Sequence, residues 1–587
     1  MATRPAPGSL CRRRGPRAGP RRTGQRRPGR HGTVLRAVEE GRLLPDRLRR
    51  TGARRQGRAG LVAAAKGPAP ASRGLTRGAG APAGYRFGRT VLRDPEIAAA
   101  IDLGSNSFHL LIARVEDGQL KVVDRLRESV RLGGGLDETN YLTSAAMERG
   151  LETLARFGQR LREFPPGSVR AVGTNTLRKA RNSRRFLDRA RDALGHEIDI
   201  VSGYEEARLI YLGVAHSLAD DGQQRLVVDI GGGSTELITG EGFAPRLMES
   251  LHMGCVSLME AHFQGGGISS RRMQRAVLAA RMELEPIESR FREEAWQRAV
   301  GASGTVRAIQ RVVQEAGWSD YGITASSLKQ LRKALVEAGH VDKIRFSSLS
   351  RDRAEIFPGG VAVLVGVFEA LGIERMEAAD GAMREGLLYD LLGRIQHEDV
   401  RALTVEALAR RYHADTEHAG RVGETALGFL EQARNHWRLG EPIFGRALAW
   451  AASLHEIGLD ISHSQYHKHG AYVLRNADMA GFSKQEQLLL ASLVRTHRRK
   501  FPRTVFEELP DAWTEPAQRL AILLRLSVRL HRGRGRDPLP SIVLKPDGRS
   551  VALHFPDDWL ADHPLAEADL EEEAGYLRSA GYRLICR

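Results

Sequence analysis

Two short stretches of this chain hold residues whose types and spacing suit a phosphate group. One begins at Ile97 and reads IAAAIDLGSNSFHLLIARVEDG; the other begins at Arg225 and reads RLVVDIGGGSTELITGEG. Each is an apolar run, a tight Gly/Ser/Asn turn, a second apolar run and another turn, the pattern of a β-hairpin. Sliding one onto the other by 127 residues aligns Asp102 with Asp229, Gly104 with Gly231, Ser107 with Ser234 and Leu110 with Leu237, which marks an internal duplication. Glycine lets backbone N–H groups approach an anion without a Cβ in the way, and small hydroxyls add donors. An acid at the end of the first strand can hold a divalent cation that shields phosphate charge. A single DxGxxS is more often a plain turn with a capping Asp. Repetition with the acid in the same place favours phosphate binding, clamped from both sides.

Further elements must position these loops. SGYEEARLIYLGVAHSL from Ser202 has Ser202 and Glu205 in capping-box spacing, followed by Leu209, Ile210, Leu212, Gly213 and Val214 on an apolar stripe. A helix is predicted there, with Glu205 as cap partner and Glu206 beside it at the positive end of the macrodipole. Arg178 opens a basic run with Lys179, Arg181, Arg184 and Arg185, which reads first as a solvated helix face.

Taken together, DLGSNS at 102–107, DIGGGSTE at 229–236 and GASGT at 301–305 resemble the actin, Hsp70 and sugar-kinase superfamily, and within it the exopolyphosphatase and guanosine pentaphosphate phosphatase family. VGTNTLRKA at 172–180, SGYEEARL at 202–209, MGCVS at 253–257 and DGAMREGLLYD at 380–390 extend the resemblance, which runs from about Ile97 to the C-terminus. It implies an α/β chain of two ribonuclease-H-like (actin-like ATPase) domains closing on a cleft, with Mg²⁺ or a similar ion assisting hydrolysis. It places the water-positioning base at Glu206. Asp229 and Glu236, with Asp102 opposite, are expected to hold the metal directly or through water. Gly231, Gly232 and Ser234, with Gly104, Ser105 and Asn106, are expected to meet phosphate oxygens, and Arg178 is carried over as a phosphate-contacting guanidinium. Cys255 reads as a buried small side chain rather than a nucleophile. Ser303 and Thr305 beside Gly301 and Gly304 replace the Gly-Gly turn that ATP-using relatives place at an adenosine pocket, which favours a phosphohydrolase over a kinase.

The chain has 587 residues, enough for three or four domains, and a net charge of +18. That charge is local: residues 1–93 carry +21 and the remainder −3, so the body is not built for nucleic acid. The first 93 residues hold 16 Gly and 9 Pro among 23 Arg, a composition expected of a disordered tail or a start assigned too far upstream. Three cysteines, Cys11, Cys255 and Cys586, make neither a disulfide scaffold nor a metal knuckle, and a reducing cytoplasm is expected. The longest apolar stretch, residues 359–371, is too short to span a membrane.

From about Ile395 the pattern becomes long amphipathic helices. WAASLHEIGLDISHSQYHKHGAYVL from Trp450 resembles a metal-dependent HD-type phosphohydrolase, but Glu456 stands where that domain needs Asp and Val528 where it needs the last acid, leaving His418 and His455. The expectation is a degenerate HD-like scaffold. His463, His467, His469, His497, Arg498, Arg499 and Lys500 suggest a polyanion surface, and residues 541–545 and 550–555 around Pro546, Asp547 and Gly548 suggest a small terminal α+β module. Expected domains are 94–211, 212–394, 395–535 and 536–587. Three functions compete: an exopolyphosphatase, favoured by the helical half; a guanosine pentaphosphate phosphohydrolase; and a non-catalytic polyphosphate or nucleotide sensor. The partners implied are inorganic polyphosphate or guanosine pentaphosphate, no nucleic acid and a second copy in a homodimer, with room for a peripheral membrane contact.

Overall fold

The computed structural model describes residues 97–116, 119–165, 167–218, 222–395 and 399–587. The expectations for residues 1–93, including Cys11, lie outside them. Strands β1 (Ile97–Leu103), β2 (Ser107–Glu116), β3 (Gln119–Ser129), β4 (Val169–Gly173) and β5 (Ile198–Ile200) form one sheet ordered β3-β2-β1-β4-β5. Strands β6 (Gln224–Ile230), β7 (Thr235–Glu241), β8 (Ala244–Leu251), β9 (Arg298–Gly301), β10 (Ile323–Thr324) and β11 (Arg375–Ala378) form a second, ordered β10-β11-β9-β6-β7-β8. The duplication read from two hairpins thus extends to whole sheets. In each, an antiparallel meander joins a parallel neighbour through its first strand. Register repeats as well: Asp102 pairs with His109 as Asp229 pairs with Glu236. A register shift falls between Ile112 and Ala113 in one copy and between Thr239 and Gly240 in the other, again 127 residues apart. Both β1 and β6 are buried along nearly their whole length, which explains their continuous apolar runs.

Each sheet has an outer core of its own, and a further core is shared between them. Ala98, Ala100 and Leu111 of the first sheet and Val227, Ile238 and Val300 of the second pack with Leu209, Ile210 and Val214 of the helix Gly203–Ser217 and with Leu387, Leu388 and Leu391 of the helix Met383–Ile395. These two helices approach until their backbones touch. A Cβ on Gly386 would stand 1.8 Å from the Leu209 carbonyl oxygen, and one on Gly213 would stand 2.0 Å from that of Ala382. Gly386→Val should therefore cost on the order of 3 kcal/mol through backbone overpacking. Denaturant titration checks this, and an unchanged midpoint would mean that the crossing tolerates separation.

The apolar stretch 359–371 lies in a helix, Phe357–Leu371, buried on nearly every side in the outer core of the second sheet. No helix among the described residues is long and apolar enough to cross a membrane. Residues beyond 400 form a helical region with a single core that also takes in the three-stranded sheet of β12 (Val543–Asp547), β13 (Ser550–His554) and β14 (Arg583–Cys586). The predicted hairpin is present, and the C-terminal strand joins it in parallel. The helical region locks onto the first sheet domain: Gln485 Oε1 accepts from the Ile200 N–H at 3.0 Å, and Val201 forms a bridge with Ser483.

Candidate active site

A cavity of about 410 Å³ opens between the two hairpins. Its wall includes Asp102, Gly104, Ser105 and Asn106 from the first turn and Asp229, Gly231, Gly232, Ser234 and Glu236 from the second, together with Glu206. Ten of the eleven residues read from the sequence therefore converge. Backbone bonds shape the loops. Ser105 O accepts from Gly133 N–H at 2.8 Å and Asn106 O from Arg131 N–H at 2.8 Å, while Gly231 O accepts from Cys255 N–H and Gly232 O from Val256 N–H, both at 2.9 Å. The carbonyl oxygens that would repel an anion are thereby engaged by protein donors. Gly254 allows this close seat, since a Cβ there would stand 2.4 Å from Gly232 O.

Arg178 is the eleventh residue, and it does not line the cavity. Its NH1 donates to Glu206 Oε2 at 2.7 Å and to Val201 O at 2.9 Å, so it holds Glu206 from behind. Of the basic residues beside it, Arg184 reaches away to Asp511 and to Glu507 O. Glu206 sits in the first turn of the helix Gly203–Ser217, which is N-capped by Ser202 Oγ accepting from Glu205 N–H at 3.1 Å. Glu205 departs from its expected capping role: its fully buried carboxylate accepts from Arg208 Nε and NH2, each at 2.8 Å, and from the Gly481 N–H at 2.8 Å.

Burial, reinforced by the neighbouring Glu206, pushes both Asp102 and Asp229 up to about 7 and raises Glu236 well above the usual carboxylate range. Asp102 Oδ1 is buried without a hydrogen-bond partner. Crowded oxygen donors of this kind are a set that a hard divalent cation relieves. They do not converge tightly enough for all three to bind one ion directly: among the described residues, the one trio of His, Cys, Asp or Glu ligand atoms within 4.8 Å of one another lies elsewhere, in the helical region. Mg²⁺ uses one or two carboxylates and keeps waters or phosphate oxygens for the rest, so it does not need all three acids as direct ligands.

Between about pH 4 and pH 7 the folded chain keeps protons on Asp102 and Asp229 that the unfolded chain has released. Metal-free stability should accordingly fall as pH rises through that window. A cation binds the ionised carboxylates, so the Tm gained on adding Mg²⁺ should be larger near pH 8 than near pH 5.5. Equal gains in thermal melts at the two pH values would show that these acids do not hold the ion.

The cavity is also lined by Arg127, Arg307, Arg353 and Arg384, which surround His109 and which no local sequence pattern marks. Burial and then Arg384 hold the His109 imidazole neutral, down to about 3. Burial and then Arg127 push the Arg353 guanidinium down to about 10, so like charges crowd here too. The 127-residue shift places His109 where the second copy has Glu236, so the duplication could have drawn attention to it. Ser303 caps the helix Gly304–Glu315, Thr305 Oγ1 donates to Ile230 O at 3.0 Å, and a Cβ on Gly304 would stand 2.4 Å from Arg353 NH2. Cys255 is buried at the cavity wall, and burial pushes its thiol up, as fits a packing residue.

The sequence profile of the Ppx/GppA phosphatase family matches residues 111–395, and that of its domain III matches residues 400–574. A guanosine-5'-triphosphate,3'-diphosphate pyrophosphatase of Aeromonas hydrophila subsp. hydrophila is 40% identical over 491 residues, covering 84% of this chain and 99% of the relative. The chain belongs to the Ppx/GppA phosphatase family. Like others of that family it is a phosphoanhydride hydrolase. Among solved structures, an exopolyphosphatase from Cytophaga hutchinsonii is similar over 51% of this chain and 98% of its own, at 24% identity and a TM-score of 0.47. The Aquifex aeolicus PPX-GPPA enzyme is similar over 50% of this chain and 99% of its own, at 27% identity and a TM-score of 0.44.

Proposed function

We propose that this Ppx/GppA phosphatase removes the terminal 5' phosphate of guanosine 5'-triphosphate 3'-diphosphate. The observation that carries a polyphosphorylated substrate is the cavity lined together by two glycine turns, buried acids and a cluster of arginines that includes Arg127, Arg307, Arg353 and Arg384. A ligand with several adjacent phosphates and a cation relieves both crowds at once. The guanosine substrate is favoured over polyphosphate by the relative that is 40% identical across 84% of the chain. The sequence argument for polyphosphate weakens in turn: His467 and His497 are buried, 5% and 1% exposed, rather than part of a cationic surface. Burial pushes His467 down to about 4 and His497 well below the usual range, so neither supplies charge near neutral pH.

In this reading the N–H groups of residues 104–106 and 232–234 cradle the terminal phosphate, the Gly231 N–H being engaged by Ser234 O at 2.9 Å, and the arginines take the phosphates behind it. Glu206, steadied by Arg178, orients a water for in-line attack and accepts its proton as the anhydride bond breaks. Asp102, Asp229 and Glu236 would hold Mg²⁺, in part through water, and the ion would neutralise charge building on the phosphate oxygens. Phosphate release from guanosine pentaphosphate, measured beside release from long-chain polyphosphate under equal Mg²⁺, decides between the readings. A kcat/KM at least tenfold higher for the nucleotide is the expected result, and a preference for polyphosphate would reverse the assignment.

A further inference from the structure

The one tight ligand trio among the described residues lies in the helical region, away from the cleft: His418, His455 and Glu456, all buried, with ligand atoms within 4.8 Å of one another. His418 stands in the first turn of the helix Thr416–Ala433, where the Asp415 carboxylate accepts from its backbone N–H at 3.0 Å. His455 closes the helix Pro442–Leu454, with its Nδ1 2.7 Å from Ala452 O. A carbonyl accepts only, so Nδ1 carries the proton and Nε2 presents a lone pair. That lone pair and His418 Nδ1 are both buried without a partner. Buried ring nitrogens left unpaired are costly, and an imidazole braced on its far side by a carbonyl is the usual setting of a metal-bound histidine.

Glu456 supplies the third donor, although its Oε1 accepts from Arg534 NH2 at 2.6 Å. A cavity of about 450 Å³ lies alongside, lined in part by His418, Glu456, Val528, Arg498 and Arg534. The sequence offers two of the four ligands of an HD site, His418 and His455; the fold brings the Glu456 carboxylate in as a third, while Val528 offers none.

We propose that His418 Nδ1, His455 Nε2 and the Glu456 carboxylate bind a borderline divalent transition ion such as Zn²⁺, with one coordination position left open to this cavity. Two imidazoles and one carboxylate suit Zn²⁺ or Co²⁺ and disfavour Mg²⁺, so the site is chemically distinct from the all-oxygen acids of the cleft. Ligands about 2 Å from a tetrahedral ion stand about 3.3 Å apart, so the trio needs to close by no more than about 1.5 Å, within reach of rotamer adjustment. Arg534 competes with the ion for Glu456 and sets a threshold on affinity.

The full-length chain, stripped with chelator and kept in excess Mg²⁺, is titrated with Co²⁺ and followed by visible d–d absorption, then challenged with Zn²⁺. One equivalent should bind and be displaced by Zn²⁺. His418→Gln and Glu456→Gln should each weaken binding at least about 100-fold, the loss of a ligand costing no less than loss of its outer-shell support. Arg534→Gln should tighten it several-fold by releasing Glu456, and Asp229→Asn in the cleft should leave it unchanged. Absence of a bound equivalent in the native chain overturns the proposal, as does an absorption band that survives both ligand substitutions. Should the ligand variants fail to fold, an Arg534→Gln protein whose affinity equals the native one overturns it as well.

Discussion

Glu206→Gln is expected to lower kcat by roughly 10²–10⁴ while leaving KM nearly unchanged, because glutamine keeps the side chain's size and cannot accept a proton from water. The structure sharpens this expectation. Glu206 is 8% exposed, lines the cavity, and is held through Oε2 by Arg178 rather than being a free carboxylate at a helix start. In the proposed function substrate contacts come from the two glycine turns and the cavity arginines, which the substitution leaves intact, so binding should survive. Asp229→Asn should behave differently, raising the Mg²⁺ concentration needed for activity, with partial rescue at high Mg²⁺ that Glu206→Gln cannot share. Steady-state kinetics across a Mg²⁺ series separates the two. Near-normal turnover of Glu206→Gln at saturating substrate would move the base to Glu236 or Asp102.

Much of the cleft was legible because its signals are local. Glycine, serine and an acid at a strand end mark a turn within six residues, and their repetition 127 residues later turns two weak hairpin signals into one strong signal. The arginine cluster was not legible for the opposite reason. Arg127 stands on β3 and Arg353 in the short helix Arg351–Ala354, while Arg307 follows the GASGT turn, so only tertiary packing unites them. Arg384 lay inside a recognised motif without a role. Glu205 escapes its capping-box expectation because that spacing tests only the local option; Arg208 and the Gly481 N–H, 276 residues away, offer its carboxylate more. His467 and His497 show the same limit, since a sequence cannot distinguish a buried neutral imidazole from a surface cation.

Asp390→Asn is expected to destabilise the chain by about 3–5 kcal/mol, the scale of breaking a buried ion pair from one side. Asp390 ends the DGAMREGLLYD segment on the same helix as Arg384, and six residues at about 100° each turn it about 120° around the axis. There it is 6% exposed and accepts from Arg170 NH1 at 2.6 Å, from Arg394 Nε at 2.7 Å and from Arg208. Burial alone would raise its pKa, but the guanidiniums of Arg394, Arg170 and Arg208 outweigh that and hold the carboxyl well below the usual range. An asparagine leaves three buried cations with one fewer counter-charge, and Arg208 and Arg394 also connect, through Glu205 and the Gly481 backbone, to the helical region. The pH dependence gives the effect a signature. A carboxyl depressed in the folded state stabilises fully above its unfolded pKa near 4 and loses that contribution as pH falls towards the folded value. The stability difference between native and Asp390→Asn chains should therefore be constant from neutral pH down to about 5 and shrink below about 4. Denaturant midpoints measured across that range test it, and a difference that stays flat into acid would show that Asp390 contributes shape to this junction rather than charge.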